Sequence, residues 1–177
     1  MKMLRTLLSA IVVIIVVVVV VGLFLPTSYT VERSIVIDAP VAQIHEYVGD
    51  LDRWAAWEPW KEGDPTLVVT YGEKTRGVGA SQSWVGESGG GALTFTKDSP
   101  TEGIEYDLVF DDGTYVCRSA MTYDPLQDGG TRVTWTMEGD MGAPVIGGYF
   151  ALMMDPMVGG TFDRGLSNLK KRVEGQP

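Results

Sequence analysis

Two residue types that often carry chemistry are nearly missing from this chain of 177 residues, which has one cysteine, Cys117, and one histidine, His45. A single cysteine rules out any disulfide within the chain and leaves its redox compartment unread. With one imidazole, one thiol and no carboxylates grouped at ligand spacing, the sequence offers no metal site. A Ser–His–Asp or Cys–His site would have to use His45, and no serine or thiol is placed beside it. His45 sits next to an apolar stripe rather than on it and is expected to be exposed. No internal repeat or low-complexity tract is present outside the N-terminal run.

Positive charge is also scarce. The first 25 residues hold Lys2 and Arg5 and no acid, and the remainder has 12 Lys and Arg against 23 Asp and Glu, a net charge of −11. Such a surface repels phosphate backbones and anionic bilayers, so a nucleic-acid partner is excluded and broad electrostatic membrane contact is disfavoured. The glycine-rich stretches "GVGASQS" (77–83) and "SGGG" (88–91) precede strand-like runs and lack a following Gly-Lys-Ser/Thr. They read as turns, not phosphate cradles.

What the chain does have is a long uncharged run at its front. Leu7–Leu25, "LLSAIVVIIVVVVVVGLFL", carries Ser9 as its one polar side chain. At ~1.5 Å per residue, a helix of that length is close to the hydrocarbon thickness of a bilayer. It exceeds the usual apolar core of a signal peptide and no small-x-small cleavage site follows, so it reads as an uncleaved anchor. Lys2 and Arg5 flank its start, which places residues 1–6 in the cytoplasm and the domain on the extracytoplasmic face, periplasmic in a bacterium. Residues 26–30, "PTSYT", then form a short tether to a domain over 31–177.

That domain opens with an alternating strand, Val31, Arg33, Ile35 and Ile37 against Glu32, Ser34 and Val36, ending at Asp38–Pro40. Val41, Ile44, Val48 and Leu51 follow at helical spacing. Next comes "DRWAAWEPWKEGDP" (52–65), with Trp54, Trp57 and Trp60 three apart. From Thr66 onward the pattern predicts six turn-separated strands, with hairpin turns at "DDG" (111–113) and "DPLQDGG" (124–130). Amphipathic alternation makes the sheet antiparallel with one face covered. Asp155 and Pro156 suit the cap and first position of a last helix, whose stripe is Val158, Phe162, Leu166, Leu169 and Val173. Ahead of it, "VIGGYFALMM" (145–154) is apolar all round and reads as a short helix or a mobile lid.

In "IVIDAPVAQIHEYVGDLDRWAAWEPW", "GVGASQSW", "TRVTWTMEGDMG" and "MMDPMVGGTFDRGLSNLK" the sequence resembles the START/polyketide cyclase–dehydrase superfamily (SRPBCC group). It looks especially like members with one N-terminal membrane helix. The resemblance implies an α+β helix-grip fold, a curved seven-stranded antiparallel sheet wrapped around a long C-terminal helix. It also implies a deep cavity between the two, used across the superfamily for lipids, sterols, polyketides and hormones.

The expected function is therefore binding of a small hydrophobic ligand (lipid-, isoprenoid- or polyketide-like) for transport or sensing, without a cofactor. A cyclase or dehydratase, using Tyr106, Glu105 or Asp107 to move a proton, is the enzymatic alternative. A module that binds a protein partner through an exposed apolar patch is the third. Candidate ligand contacts are Trp84, Tyr106, Trp135, Met137 and Met153, with Gln82, Arg118 and Tyr106 as polar groups and Trp57 or Trp60 at the mouth. Trp135 and Met137 share a strand face with Val133, as do Gln82 and Trp84 with each other. The tryptophan stretch reads mainly as a packed plug at one end of the grip.

Overall fold

The structure is a computed structural model describing residues 2–110, 113, 115–127 and 129–175. Helix α1 (Lys2–Phe24) comes first and is followed by β1 (Ser28–Ile37). α2 (Val41–Val48), a 3₁₀ turn (Leu51–Ala56) and the single turn α3 (Trp60–Gly63) follow. The sheet is completed by β2 (Val68–Tyr71), β3 (Ser81–Gly86), β4 (Gly89–Ser99), β5 (Gly103–Phe110), β6 (Tyr115–Pro125) and β7 (Thr131–Asp140). α4 (Ile146–Val173) ends the fold. Asp111, Asp112 and Asp128, from the two expected hairpin turns, lie outside the described residues.

All seven strands form one antiparallel sheet in the order β1-β7-β6-β5-β4-β3-β2. Strand parity puts Val31 and Ile37 of β1, Met121 of β6 and Val133, Trp135 and Met137 of β7 on the inner face, all buried. Their neighbours along each strand point out, the two-residue alternation of a sheet with one covered face. β1 starts inside the stretch read as a tether, with Ser28–Thr30 already paired to 138–140.

α4 covers the inner face, and it differs from the sequence expectation. The helix starts at Ile146 and runs 28 residues, with Pro156 in its interior. Proline removes one hydrogen bond, to the carbonyl of residue 152, which normally breaks a helix. Here the segment before it is held from outside: a Cβ on Gly148 would lie 2.4 Å from the Leu25 side chain, and one on Gly147 would lie 3.2 Å from Thr27. Asp155 does not cap the helix but faces Arg33 on β1, with Nη1–Oδ1 at 2.7 Å and Nη2–Oδ2 at 3.1 Å. Further along, Lys170 Nζ donates to the Val36 carbonyl at 2.6 Å, and Glu174 accepts from the Asp38 amide at 2.8 Å. α4 thus runs alongside β1 and is fastened to it at several points.

The tryptophan stretch folds as a 3₁₀ turn, whose three-residue period stacks positions three apart. Trp54 and Trp57 are buried, and their ring nitrogens donate to the carbonyls of Val48 (2.9 Å) and Tyr47 (3.4 Å). The two indoles pack into the core against Phe95, Tyr106 and Trp135. The turn expected at "SGGG" is tighter than read, since Gly89–Gly91 already belong to β4. Gly91 is required there: a Cβ would lie 2.4 Å from the Trp84 indole.

Candidate functional site

The space between the sheet and α4 is filled with rings. Trp135 from β7 stacks on Phe162 from α4, centroids 4.1 Å apart and planes 4° from parallel. Trp57 meets Trp135 edge-on at 5.7 Å and Trp60 does so at 6.2 Å. Trp54 touches Trp57, Phe95 and Tyr106 at 5.4, 5.9 and 5.6 Å. Gly165 is what lets α4 come this close, because a Cβ there would sit 2.8 Å from the Trp135 ring. Gly147 and Gly148 of "GGYF" and Gly159 of "GGTF" fit the same pattern, with Arg33 lying where a Cβ of Gly159 would go, whereas Gly160 has room for one. The first three serve close packing.

A polar cluster interrupts this apolar wall. Trp135 Nε1 donates to Tyr106 Oη at 2.9 Å and to Ser119 Oγ at 3.1 Å, and Ser119 donates on to the Thr136 carbonyl at 2.5 Å. All three side chains are buried, and burial pushes the Tyr106 phenol up from its ordinary value. Each of these buried polar atoms has a hydrogen-bond partner, as buried polar groups require.

Of the residues expected to meet a ligand, the structure brings together Trp57, Tyr106, Trp135 and Met137 on the inner face, with Trp60 half-buried at its edge. Trp84 lies farther along, edge-on to Phe110 at 5.7 Å. Gln82 is buried beside a hollow of about 20 Å³, between the tryptophan stretch and β2–β3, that Glu58, Lys61 and Tyr71 also line. Arg118 is not brought there: it is on the outer face, 68% exposed and 3.6 Å from Asp107. Met153 is 52% exposed on the side of α4 away from the sheet. Glu105 and Asp107, the acids of the enzymatic alternative, also face outward, Glu105 lying 3.6 Å from Lys97.

Phe162, Phe95, Ser119 and Glu58 belong to this region although they were not singled out as site residues. Ser119 shares strand parity with Cys117 and Met121, a signal that could have found it. Glu58 gave none. Its burial raises its carboxyl to about 7, only partly offset by the Trp60 backbone amide and by Lys61. A half-buried acid poised near neutrality beside a hollow is a proton-transfer candidate.

A second hollow, of about 160 Å³, lies on the other side of α2 and is lined by His45, Glu46, Asp50, Arg76 and Asp98 among others. His45 is enclosed here, not exposed. Its Nε2 lies 3.0 Å from Asp98 and its Nδ1 3.1 Å from Tyr123 Oη, and burial lowers its pKa. β4 bulges between Phe95 and Lys97, and Asp98 follows that irregularity directly. Both ring nitrogens are engaged, so His45 ties α2 to β4 and β6. No group of three or more metal-ligating side chains occurs among the described residues.

The fold recurs in solved structures. A protein of Thermobifida fusca superposes with a TM-score of 0.62 at 20% identity, covering 82% of this chain and 93% of its own. A Thermus thermophilus protein gives 0.59 at 18%, covering 82% and 97%, and one from Chromobacterium violaceum gives 0.56 at 19%, covering 82% and 96%. At these identities the likeness shows the fold alone. No curated protein matches the chain. Residues 28–174, from the start of β1 to the end of α4, match the family described as polyketide cyclase/dehydrase and lipid transport, and the chain belongs to that family.

Proposed function

We propose that the chain is a membrane-anchored helix-grip domain that binds a small hydrophobic molecule, lipid-, isoprenoid- or polyketide-like, between its sheet and α4, for transport or sensing. The observation that carries this reading is the make-up of the inner face: Trp, Phe, Tyr and Met around a polar cluster at Tyr106, Trp135 and Ser119. Small-molecule sites have this composition, an apolar wall with a few placed polar groups that set orientation. The rings occupy the volume in this structure, so a ligand takes the place of some of them. α4 is the element suited to yield, since Pro156, Gly159 and Gly160 interrupt its middle and each weakens a helix.

In this reading α1 holds the domain at the bilayer, with Lys2 and Arg5 on the cytoplasmic side. The helix over Met3–Phe24, with a mean hydropathy of 3.4 over its most apolar 18 residues, is long and apolar enough to cross a membrane. Two measurements on the full detergent-extracted chain test the proposal: native mass spectrometry for a co-purifying molecule, and tryptophan fluorescence during titration with a fatty acid or an isoprenoid. A retained adduct or a saturable shift supports it. No adduct and an unchanged spectrum with both titrants overturn it and leave the partner-binding alternative.

A second reading, catalysis of a cyclisation or dehydration, is favoured by Glu58, which sits beside the small hollow with its carboxyl raised to about 7. It requires a substrate that reaches Glu58, Tyr71 and Gln82. Product formation lost in Glu58→Gln with ligand binding retained would select it.

A further inference from the structure

Two uncharged stretches of the sequence meet in the fold. One runs from residue 6 to 31 and contains α1, and the other, residues 141–154, contains the first turns of α4. Tyr149 Oη donates to the Val18 carbonyl at 2.8 Å. A Cβ on Gly22 would collide with the Val145 carbonyl and the Tyr149 ring, and one on Gly148 with Leu25. The two helices therefore touch along the end of α1, at Val18, Gly22 and Leu25.

The depth of that contact follows from helix geometry. Val18 lies six residues before the end of α1 at Phe24, about 9 Å inside it at ~1.5 Å per residue. A span of hydrocarbon thickness that ends near Phe24 puts Val18 well within the leaflet on the domain's side. Whatever packs directly on Val18–Leu25 shares that leaflet. The part of α4 that does so turns Ile146, Phe150, Leu152 and Met153 outward, each 52–58% exposed. Its backbone is helical, which engages its polar groups internally as lying in lipid requires, with the Leu152 carbonyl opposite Pro156 as the exception. The first charge along α4, Asp155, appears where the helix has moved up beside Arg33.

We infer that the first two turns of α4 are embedded in the acyl chains of that leaflet, alongside α1. The inference rests on the reading of α1 as a membrane span and adds to it. The helix that covers the inner face of the grip then begins in lipid, and the molecules around its first turns are membrane lipids. The negative charge of the domain does not oppose this placement, because the embedded segment carries none.

Nitroxide labels on single-cysteine variants of the full chain in phosphatidylcholine nanodiscs test the inference. The sites are Phe150→Cys and Met153→Cys on α4, Val12→Cys within α1, and Thr101→Cys in the β4–β5 turn at the sheet's far end. The unsubstituted chain is the blank, its only thiol, Cys117, being buried. Collisional relaxation by oxygen, which partitions into lipid, is compared with relaxation by a water-soluble nickel chelate. The expected oxygen-to-nickel ratio at 150 and 153 is several-fold above that at 101 and close to that at 12. A ratio at 150 and 153 equal to that at 101, with 12 still lipid-like, overturns the inference and leaves the anchor intact. Shielding of 150 and 153 from both reagents also overturns it, in favour of a protein cover. A water-like ratio at 12 removes the anchor reading and this inference with it. All four positions are exposed, and a matched thermal unfolding curve for each labelled chain excludes a folding defect.

Discussion

The indole of Trp135 lies flat on the ring of Phe162, 4.1 Å away, while its nitrogen donates sideways to Tyr106. One residue thus joins the apolar filling of the grip to its polar cluster, and the two contributions can be separated. Phe162→Ala empties a fully buried aromatic site and is expected to cost about 3–5 kcal/mol. Trp135→Phe keeps a ring but removes the N–H, leaving two buried oxygens short of a donor for a cost of about 1–3 kcal/mol. Urea unfolding followed by circular dichroism measures both, and equal losses would show that the hydrogen bonds matter as much as the stack.

The tryptophan stretch gives a graded prediction. Trp54→Ala and Trp57→Ala each remove a buried indole with a satisfied N–H and are expected to lose about 3–5 kcal/mol. Trp60 is half-buried at the edge of the cluster, so Trp60→Ala loses less. Thermal melts of the three variants give the order, and three wild-type curves would show that the stretch is not a plug.

Two glycines of α4 should respond oppositely to alanine. At Gly160 the nearest atom to an added Cβ is the end of Arg164, 3.9 Å away, so Gly160→Ala gains helix propensity of about 1 kcal/mol. At Gly165 the same methyl meets Trp135 at 2.8 Å and Pro59 at 3.3 Å, so Gly165→Ala destabilises despite its better propensity. Denaturant midpoints decide the matter, and a stabilised Gly165→Ala would mean that α4 and Trp135 separate easily.

Glu58 sets a pH dependence of known sign. Burial raises its folded pKa to about 7 from an ordinary 4.5. A raised acid favours the neutral form, so its contribution is fully present below pH 4.5 and is lost as pH rises to about 7. Glu58→Gln removes that loss. The variant's melting temperature is expected to rise relative to wild type between pH 5 and 8, and a constant difference across that range would refute the burial of the charge.

The strands were legible in the sequence because each carries alternation bounded by turn residues, and parity located Trp135, Met137 and Tyr106 correctly. Parity does not place Arg118, because β6 has apolar residues in both phases, with Val116 and Ala120 beside Cys117 and Met121. Which phase faces inward is decided by pairing with β5 and β7, where Ser119 lies opposite Tyr106 and Met137. The start of α4 was masked by Pro156, a local stop signal that contacts with Leu25, Thr27 and Arg33 override. His45 and Glu58 are enclosed by β4 and by β2–β3, elements distant in sequence. Helical or strand periodicity carries no information about such partners.

The fastening of α4 along β1 has a consequence for how copies of this protein coexist. β1 is an outermost strand, and a bare outermost strand is a template on which another chain can polymerise. Here the Val36 carbonyl is taken by Lys170, the Glu32 carbonyl by Arg33 and the Asp38 amide by Glu174. The opposite margin of the sheet is β2, only four residues long. On the proposed reading of α1 as an anchor, neighbouring copies would be held in one membrane plane at high local concentration. Charged side chains engage three groups of one margin and the other is short, and both features work against edge-to-edge growth.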